Sequence, residues 1–541
     1  MAGKGYERIH SMRTLYYNGF VYTGQLPLQE AFLVENDIFL AVGTNTDLCK
    51  QQADETVDLQ GAFVCAGFND SHMHLLNLGQ TLAVAPLAQH THTLEDMLLA
   101  LAQSKPGRGG WILGRGWNQD YFADVHRMPN RWDLDKVSET NPICAIRACG
   151  HALCVNSKAL EMLGITASAP VIPGGQVGME DSLPNGLFFD NAMDLVLSQI
   201  PVPEKEDIKD MIRAACKKLN ANGITSSQSD DYCVFPDRWQ VINEAYRELE
   251  QAGELTVRVY EQANFTDVDR LAGFLAAGNT TGTGTDLFRI GPLKLLGDGA
   301  LGARTAYLSR PYADDAETAG LSVFSAAEFD ALIGHAHRNG MQVAVHCIGD
   351  ACLDLVLSSI EKALTANPRE DHRHGIVHCQ ITRPDQLERI AKLNLHVYAQ
   401  SIFLDYDLHI VHSRVGKELA ESSYSWKTLK NKGVTVSNGS DCPVEASDVM
   451  AGIQCAVTRC DLRGHGPYLP QEAFTLCEAL HSFTSDGAYA SFEEHRKGQI
   501  LPGMLADFVV LGKNPFEADP YTLKDIPIVK TYLGGKMVYS L

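Results

Sequence analysis

The sequence contains no apolar run long enough to cross a membrane as a helix, which needs about 20 consecutive apolar residues. The first residues, MAGKGYERIHSMRTLYYNG, lack the apolar centre of a secretory signal peptide. We treat residues 1–11 as an extension before an alternative initiator, Met12, and leave them out of the fold prediction. Tandem repeats and low-complexity segments are also absent from the sequence. These absences predict a globular, cytoplasmic protein without a membrane partner.

Basic residues are the minority among the charged side chains. The 541 residues include 45 Lys and Arg against 66 Asp and Glu, which gives a formal charge of −21. Such a chain has no surplus of cations to displace the counterions of a nucleic acid or to bind an anionic membrane. We therefore expect a small-molecule substrate and no nucleic-acid partner. A homodimer is an assembly that the sequence allows.

The fourteen cysteines include no C-x-x-C pair, so the sequence lacks both a zinc-ribbon and a thioredoxin-like motif. Several of them lie in apolar stretches, among them Cys65, Cys144 and Cys347. We expect reduced, buried thiols rather than disulfides.

Short β-rich segments at both ends of the chain flank a longer alternating centre. Residues 12–66 and 497–541 contain short apolar runs broken by Gly, Asn or Asp, which predicts one small β-module built from both termini. Residues 67–496 alternate apolar strands with amphipathic helices, and this pattern predicts a parallel sheet. Eight such units make a (β/α)8 barrel. The stretch at about 90–215 is irregular and rich in Gly, Pro and Trp, and we predict that it is an insertion covering the barrel mouth.

The nineteen histidines include four His-x-His pairs, and their context separates them. Residues i and i+2 share one face of a strand, whereas in a helix they point about 200° apart. Three pairs are therefore unsuited to bind a metal. His335/His337 lie in a helical pattern, His90/His92 lie in polar surroundings before a predicted helix, and His372/His374 lie before a strand. Only His72/His74 follow the carboxyl end of an apolar strand, where the active sites of parallel barrels are built.

Three further ligand-type residues lie at strand ends. His346 closes QVAVH, His378 closes GIVH, and Asp441 closes VTVSNGSD. Together with His72/His74 they supply four imidazoles and one carboxylate, a set that suits a divalent metal such as zinc. A single histidine at a strand end is more often packed or hydrogen-bonded. Four in chain order, followed by an aspartate, favour a metal site.

Lys294 is unusual because it lies in the otherwise apolar strand FRIGPLKLL. A buried lysine without a partner is costly, and burial lowers its pKa. One interpretation is an ion pair with a nearby acid such as Asp298. The other is a lysine that adds carbon dioxide, so that the resulting carbamate bridges two metal ions.

Seven segments together resemble a known family: AGFNDSHMHLLNLG, RACGHALCVNSKAL, KLLGDGALGARTA, VAVHCIGDACLD, GIVHCQ, SNGSDCPVE and PGMLADFVVL. From about residue 12 to its C-terminus, the sequence resembles the amidohydrolase superfamily. The likeness is to the YtcJ-like or amidohydrolase-3 branch, which includes N-substituted formamide deformylase-like proteins. It implies a distorted (β/α)8 TIM barrel beside a small β-sandwich formed by both termini.

The resemblance also implies a binuclear metal centre. Its cofactors would be two divalent ions, zinc in the first place with manganese or iron as alternatives, and carbon dioxide as a lysine carbamate. The ligands would be divided between the ions as follows: His72, His74 and Asp441 on one, His346 and His378 on the other, and Lys294 as the carboxylated bridge.

The expected reaction is hydrolysis of a carbon–nitrogen bond other than a peptide bond, in an N-acyl or N-formyl amine or a cyclic amide. A metal-bridging hydroxide would attack the carbonyl, and Asp441 would pass a proton to the leaving amine. Two alternatives stay open. A mononuclear-metal deaminase of the same superfamily would use similar ligands without the bridging lysine, and a non-catalytic metal-binding scaffold would bind metal without turnover.

Four residues are candidates for binding the substrate. Trp117 lies in GRGWNQDY and His151 in CGHALCVNS, while Asp298 and Arg304 follow the lysine strand. Each has a structural alternative: Trp117 as a core aromatic of the insertion, His151 as a loop histidine, Asp298 as the ion-pair partner of Lys294, and Arg304 as the partner of another acid.

Overall fold

The computed structural model describes residues 12–149, 151–165 and 170–541. The predicted N-terminal extension, residues 1–11, lies outside this range. The chain divides into two compact units, a larger one made of the residues up to Leu75 together with Ala215–Leu541, and a smaller one, Leu76–Ala214. Within the described ranges, no helix combines the length and the apolar composition that crossing a membrane requires.

Eight parallel strands of the larger unit form a barrel. Each pairs with the next along the chain, in this order: Phe68–Met73, Ile224–Ser229, Arg258–Asn264, Phe288–Leu296, Val343–Cys347, Gly375–His378, His396–Ala399 and Val436–Asn438. The first strand and the segment after the eighth are joined by two backbone hydrogen bonds, from Asp441 N to His72 O and from His74 N to Cys442 O, both 2.8 Å. This arrangement confirms the predicted (β/α)8 barrel.

The barrel strands are buried on both faces, which explains their nearly continuous apolar runs. Val343–Cys347 and Gly375–His378, for example, are buried at every residue. The third strand, Arg258–Asn264, is absent from the strands that the sequence predicts, because Glu261 and Gln262 interrupt its apolar pattern. The fold nevertheless buries both side chains completely, at 0% exposure.

The helices of the barrel region carry an apolar stripe that packs against the sheet. Ala326–Arg338 shows how the sequence defines such a helix, because Ser325 and Glu328 form a capping box at its start, and it buries Phe329 and Leu332. Two α-helices, Leu75–Leu82 and Lys205–Ala221, contain residues of both units. The other α-helices of this region are Trp239–Gln251, Val268–Ala276, Ala326–Arg338, Asp350–Ala366, Pro384–Lys392, Leu404–Asp407, Val411–Ala420, Trp426–Asn431, Val449–Thr458, Leu476–Ser482 and Ser485–Ala490. Short 3-10 helices cover Ser401–Phe403 and Pro470–Glu472.

Both ends of the chain contribute to a β-sandwich, as predicted. One sheet has the order Ile38–Gly43, Ala31–Glu35, Arg13–Tyr17, Glu55–Asp58, and the other Phe20–Val21, Phe63–Ala66, Phe508–Leu511, Ile528–Leu533, Lys536–Ser540. Aromatic rings fill the space between them: the ring of Phe508 meets that of Tyr16 edge-on at 5.2 Å between centroids and that of Phe32 at 5.0 Å. The helix Asn45–Leu48 and the 3-10 helices Pro515–Glu517 and Pro520–Asp525 complete these terminal segments.

The smaller unit contains a mixed sheet where the sequence predicts irregular chain. Its six strands have the order Gly175–Glu180, Leu183–Asp190, Ala152–Val155, Ile143–Arg147, Ile112–Trp117, Ala85–Pro86. The strand Ile112–Trp117 is not recognisable in the sequence because glycines interrupt its apolar pattern. Close packing requires one of them, since a Cβ at Gly114 would lie 2.8 Å or less from Leu87 and from Leu101. Its helices are Leu94–Gln103, Arg131–Asp135, Ser157–Met162 and Asp194–Leu197, with 3-10 helices at Leu87–Gln89, Arg108–Gly110, Gln119–Tyr121 and Asn191–Met193. Its predicted place over the barrel mouth stays a prediction.

Candidate metal centre

Four histidines and one aspartate meet inside the larger unit, at the carboxyl ends of barrel strands. His72 and His74 lie at the end of the first strand, His346 in the fifth, His378 at the end of the sixth, and Asp441 beyond the eighth. The imidazole centroids of His72 and His378 are 5.5 Å apart, and those of His346 and His378 are 4.5 Å apart. The Nε2 atoms of His72 and His74 lie 3.4 and 3.1 Å from Asp441 Oδ1. The sequence-predicted ligands are therefore neighbours in the fold.

Two glutamines fix the orientation of two of these imidazoles. The Nδ1–H of His72 donates to Gln262 Oε1 at 2.7 Å, and the Nδ1–H of His378 donates to Gln400 Oε1 at 2.7 Å. Each glutamine is itself fixed, because its amide nitrogen donates to a backbone carbonyl, that of Ser71 or Tyr398. The proton of each neutral ring is thereby held on Nδ1. The Nε2 lone pair is left free to bind a metal.

Backbone carbonyls orient the other two imidazoles in the same manner. His74 Nδ1–H donates to the carbonyl of Asp230 at 3.0 Å, which leaves Nε2 facing Asp441. His346 uses the opposite nitrogen, since its Nε2–H donates to the carbonyl of Gly299 at 3.1 Å and leaves Nδ1 free. Each of the four rings thus has one nitrogen hydrogen-bonded to an oxygen and the other available as a ligand.

The electrostatics of the group suit a cation. Burial, together with the nearby Lys294 and neighbouring imidazoles, lowers the pKa of His72 well below its usual value. Burial, His346 and Lys294 do the same to the pKa of His378, so both rings are neutral ligands at neutral pH. At His74 burial also acts to lower the pKa, but the neighbouring Asp441, Cys233 and Asp230 together outweigh it and the pKa is raised. The surroundings of His74 therefore favour a positive charge at its imidazole, next to Asp441.

Two observations test whether these residues fit a metal ion. Asp441 Oδ1 is buried and makes no hydrogen bond within the described part of the chain. Ligand atoms of His72, His378 and Asp441 all lie within 4.8 Å of one another. A buried carboxylate oxygen without a donor, near the neutral imidazoles of His72 and His378, is the donor set that zinc and similar divalent ions prefer. The residues therefore fit the predicted metal.

The backbone is strained at two of the predicted ligands. His378 and Asp441 adopt φ angles of 71° and 57°, which few non-glycine residues adopt. Gly439 permits the close approach of the segment that carries Asp441, because a Cβ there would lie 2.5 Å from the backbone nitrogen of His72. The fold thus uses unfavourable backbone geometry to place Asp441 and His378 at the centre.

Lys294 lies in the fourth strand with 2% of its surface exposed. Its Nζ is 3.8 Å from Oδ2 of Asp230, which follows the second strand. The lysine therefore pairs with Asp230 and not with Asp298, the acid that the sequence suggests. The second oxygen of Asp230, Oδ1, is buried and has no hydrogen-bond partner among the described residues.

Asp298 has a different role from the predicted substrate contact. Its carboxylate is completely buried and accepts hydrogen bonds from the backbone amides of Tyr307, Ile348 and Gly349 at 2.7–3.0 Å. It also lies 3.3 Å from His346 Nε2. Because these contacts use both oxygens, the structure gives Asp298 a positioning role for His346 and leaves it no surface for a substrate.

The other three substrate candidates have the following surroundings. Trp117 is completely buried in the core of the smaller unit, where its indole N–H donates to the carbonyl of Ala145 at 2.9 Å, which favours the core-aromatic alternative. Arg304 pairs with Asp314 through two nitrogens at 3.0 and 2.9 Å, which favours the ion-pair alternative. His151 is exposed in the smaller unit, with Nδ1 3.3 Å from Asp190 Oδ1. Its role in substrate binding stays a prediction.

The rejected histidine pairs have structural contacts. His337, in the helix Ala326–Arg338, accepts on Nδ1 from His374 Nε2 at 2.9 Å and donates to the carbonyl of Asn367. His374 in turn accepts from the backbone amide of Val343, and His372 accepts from the amide of His374. These rings stabilise the fold by a chain of hydrogen bonds. In the smaller unit, His90 pairs with Asp96 at 3.0 Å.

The comparisons with known proteins agree with this geometry. The sequence model of the amidohydrolase family matches residues 55–539. The chain belongs to this family. YtcJ of Bacillus subtilis, which is named as an amidohydrolase, is 32% identical and aligns with 98% of this chain and 100% of its own. The N-substituted formamide deformylase of Arthrobacter pascens is 26% identical, with 94% of this chain and 95% of that protein aligned. The crystal structure of an uncharacterized metal-dependent hydrolase from Pyrococcus furiosus superposes with a TM-score of 0.76 at 28% identity, covering 93% of this chain and 100% of that one.

Membership of the amidohydrolase family makes the chain a hydrolase and accounts for the converging ligands. Four other residues at the site are missing from the sequence prediction: Gln262, Gln400, Asp230 and Cys233. The Cys233 thiol donates to the carbonyl of Asp230 and lies 3.6 Å from His74 Nδ1. A usable sequence signal exists for Asp230 and Gln400, because each is a polar residue directly after a barrel strand, whereas Gln262 lies inside the third strand, which the sequence does not predict.

Proposed function

We propose that this protein is a metal-dependent hydrolase that cleaves an amide-type carbon–nitrogen bond other than a peptide bond. The proposed substrates are small molecules, namely N-acyl or N-formyl amines or cyclic amides. The observation that carries the proposal is the set of four imidazoles, each with one nitrogen hydrogen-bonded to an oxygen, that meet at the carboxyl ends of the barrel strands with the unpartnered oxygen of Asp441. The similarity to a formamide deformylase supports the N-formyl class.

The proposed cofactors are two divalent ions, zinc in the first place. His72, His74 and Asp441 would hold one ion, and His346 and His378 the other. When bound, the ions would polarise the substrate carbonyl and lower the pKa of an attacking water toward neutrality. The chain supplies the orientation, because its glutamines and backbone carbonyls hold every imidazole in one orientation before an ion arrives.

Asp441 is the proposed proton carrier. Its Oδ1 faces the centre without a hydrogen-bond donor, so it is free to accept a proton from the attacking water. The same oxygen would then give that proton to the nitrogen of the leaving amine as the carbon–nitrogen bond breaks. The products would be a carboxylic acid and an amine.

Lys294 is proposed to carry a carbamate that bridges the two ions. Without the modification, its ammonium group would balance the charge of Asp230. Carbamate formation would replace that cation with an anion beside another anion, which is costly in a buried site unless metal cations lie next to both. The modification and the loading of metal should therefore depend on each other, and metal uptake by the apo-protein should accelerate when bicarbonate is added.

The test uses protein whose metal has been removed by a chelator and restored with zinc or manganese. Turnover is measured on a panel of N-formyl amines, N-acyl amines, cyclic amides and aminopyrimidines. Asp441→Asn should keep much of its metal yet lose about 10²–10⁴-fold in kcat. The control is Asp448→Asn in the same segment, where the side chain caps the helix Val449–Thr458 and asparagine can cap equally well.

Full turnover by a metal-loaded Asp441→Asn protein would refute the proton-carrier role. Metal stoichiometry separates the alternatives that the sequence leaves open. One ion at the catalytic residues, with activity only on aminopyrimidines, would identify a mononuclear deaminase. Metal binding without activity on any class of the panel would favour a non-catalytic scaffold.

A further inference from the structure

A second group of metal-ligating side chains lies in the larger unit, apart from the catalytic residues. It consists of His409, which follows the seventh barrel strand, and of Asp461 and His465, which follow the helix Val449–Thr458. His409 Nε2 is 3.0 Å from Asp461 Oδ2, and His465 Nδ1 is 2.7 Å from the same oxygen. The three ligand atoms all lie within 4.8 Å of one another. None of these residues has a role in the proposed reaction.

The carboxylate of Asp461 is held in one orientation by its own segment. Its Oδ1 accepts hydrogen bonds from the backbone amides of Arg463 at 2.9 Å and His465 at 2.7 Å. Oδ2 is consequently directed at the two imidazoles. Such an arrangement, in which a ligand is fixed by hydrogen bonds to its other atom, is typical of metal ligands.

The charge of this carboxylate is only partly balanced. The side chain of Asp461 is 3% exposed, yet no lysine or arginine of the described residues forms an ion pair with it. Within the described ranges, its partners in such pairs are two imidazoles, and a buried anion is costly without a cation. The side chains of His409 and His465 are 46% and 65% exposed, so an ion from solvent can reach the oxygen between them.

The distances suit a small divalent ion after a modest movement. Zinc bonds of about 2.0–2.2 Å in tetrahedral geometry place neighbouring ligand atoms roughly 3.4 Å apart. The present separations of 3.0 and 2.7 Å are those of hydrogen bonds that an ion would replace. Each exposed imidazole needs to move outward by less than about 1 Å, and the open side of the site leaves room for water as a further ligand.

We propose that His409, Asp461 and His465 form a second divalent-metal site, of the class that prefers imidazole and carboxylate, such as zinc, nickel or cobalt. The bound ion joins the segment after the seventh strand to the segment after the helix Val449–Thr458. The same two segments already meet where the backbone amide of Leu462 donates to Asp405 at 2.6 Å. The site therefore acts as a clamp between them.

The first test is made on the wild-type holoprotein with its catalytic centre filled. Histidines are modified with diethyl pyrocarbonate and quantified by mass spectrometry, with and without added zinc. Zinc should reduce the modification of His409 and His465 several-fold and leave His495 unchanged, since His495 is 93% exposed and outside the cluster. Equal modification of His409 and His465 with and without zinc would overturn the proposal.

The second test counts ions. The double variant His409→Gln/His465→Gln should bind one zinc ion fewer per chain by equilibrium dialysis and lose the corresponding cobalt absorption, while His495→Gln keeps both. Thermal melting without added metal establishes that the double variant is folded. If its stoichiometry and affinity equal those of the wild type, the three residues are only a hydrogen-bonded contact. Because neither test measures turnover, failure here is distinguishable from failure of the proposed hydrolase function.

Discussion

Replacing Gln262 by leucine should weaken metal binding although Gln262 is not itself a predicted ligand. Its Oε1 accepts the Nδ1–H of His72 at 2.7 Å, and its amide nitrogen donates to the carbonyl of Ser71 at 3.1 Å. Leucine has a similar volume but removes the acceptor. His72 is then free to rotate, and its proton is free to move to Nε2, which blocks the nitrogen that faces Asp441.

The expected magnitude follows from the role of the hydrogen bond. Loss of such a partner typically lowers metal affinity about 10–100-fold, or roughly 1.4–2.7 kcal/mol. The same change removes a buried amide and leaves the carbonyl of Ser71 without its donor, which costs about 1–3 kcal/mol of folding free energy. The effect on stability must therefore be separated from the effect on metal binding.

Gln228→Leu provides the matched control. Gln228 is also buried in a barrel strand, and its amide donates to the carbonyl of Gly487 at 2.8 Å rather than contacting a histidine. Both variants should lose similar stability in denaturant unfolding. Only Gln262→Leu should lose zinc in competition with a chromophoric chelator. Equal zinc affinities for the two variants would refute the argument that the amide holds His72 in its ligand tautomer.

Three further variants test other parts of the structure. Lys294→Ala should lose metal and activity, with partial recovery on adding short carboxylic acids; wild-type metal content by elemental analysis would contradict the bridging role. His374→Leu should lower the free energy of unfolding by about 2–4 kcal/mol, because Val343 N–H and His337 Nδ1 lose their partner, and a loss of bound metal would contradict its structural role. Burial raises the pKa of Asp407 to about 6 against hydrogen bonds that lower it. The folded state therefore favours the protonated carboxyl of Asp407. Its contribution to the free energy of unfolding falls as the pH rises from about 4 to 6. Asp407→Asn should accordingly be more stable than the wild type by about 3 kcal/mol at pH 8 and equal to it at pH 4, and a gain that does not depend on pH would contradict this cause.

Most of the barrel can be predicted from the sequence, because strands buried on both faces must be apolar along their length. The third strand shows the limit of that argument. Glu261 and Gln262 make it look polar, yet it is fully buried, since the fold supplies a hydrogen-bond partner for each: Glu261 accepts from the backbone amide of Asp231, and Gln262 contacts His72. The sheet of the smaller unit could not be predicted for a related reason. Glycines such as Gly114 suggest turns in the sequence, whereas the fold requires them for close packing.

The prediction of the ligands depends on which residues lie at the carboxyl ends of the barrel strands, and the sequence alone shows this. A histidine or aspartate at the carboxyl end of a parallel strand must face the same end of the barrel, whatever its exact contacts. That rule selects His72, His74, His346, His378 and Asp441. It cannot assign the partner of Lys294, because Asp298 is close in the sequence whereas Asp230 arrives from a different strand.

The amino-acid sequence by itself determined the barrel, the composite β-sandwich and the identity of the metal-ligand candidates, since these follow from local patterns of burial and strand position. Only the tertiary structure decided which nitrogen of each imidazole is free, since Gln262, Gln400 and the carbonyls of Asp230 and Gly299 lie far from their histidines in the chain. It also buried Trp117 and gave Asp298 and Arg304 structural partners. The physical reason is that hydrogen bonding and burial depend on neighbours in space, which strand periodicity does not specify.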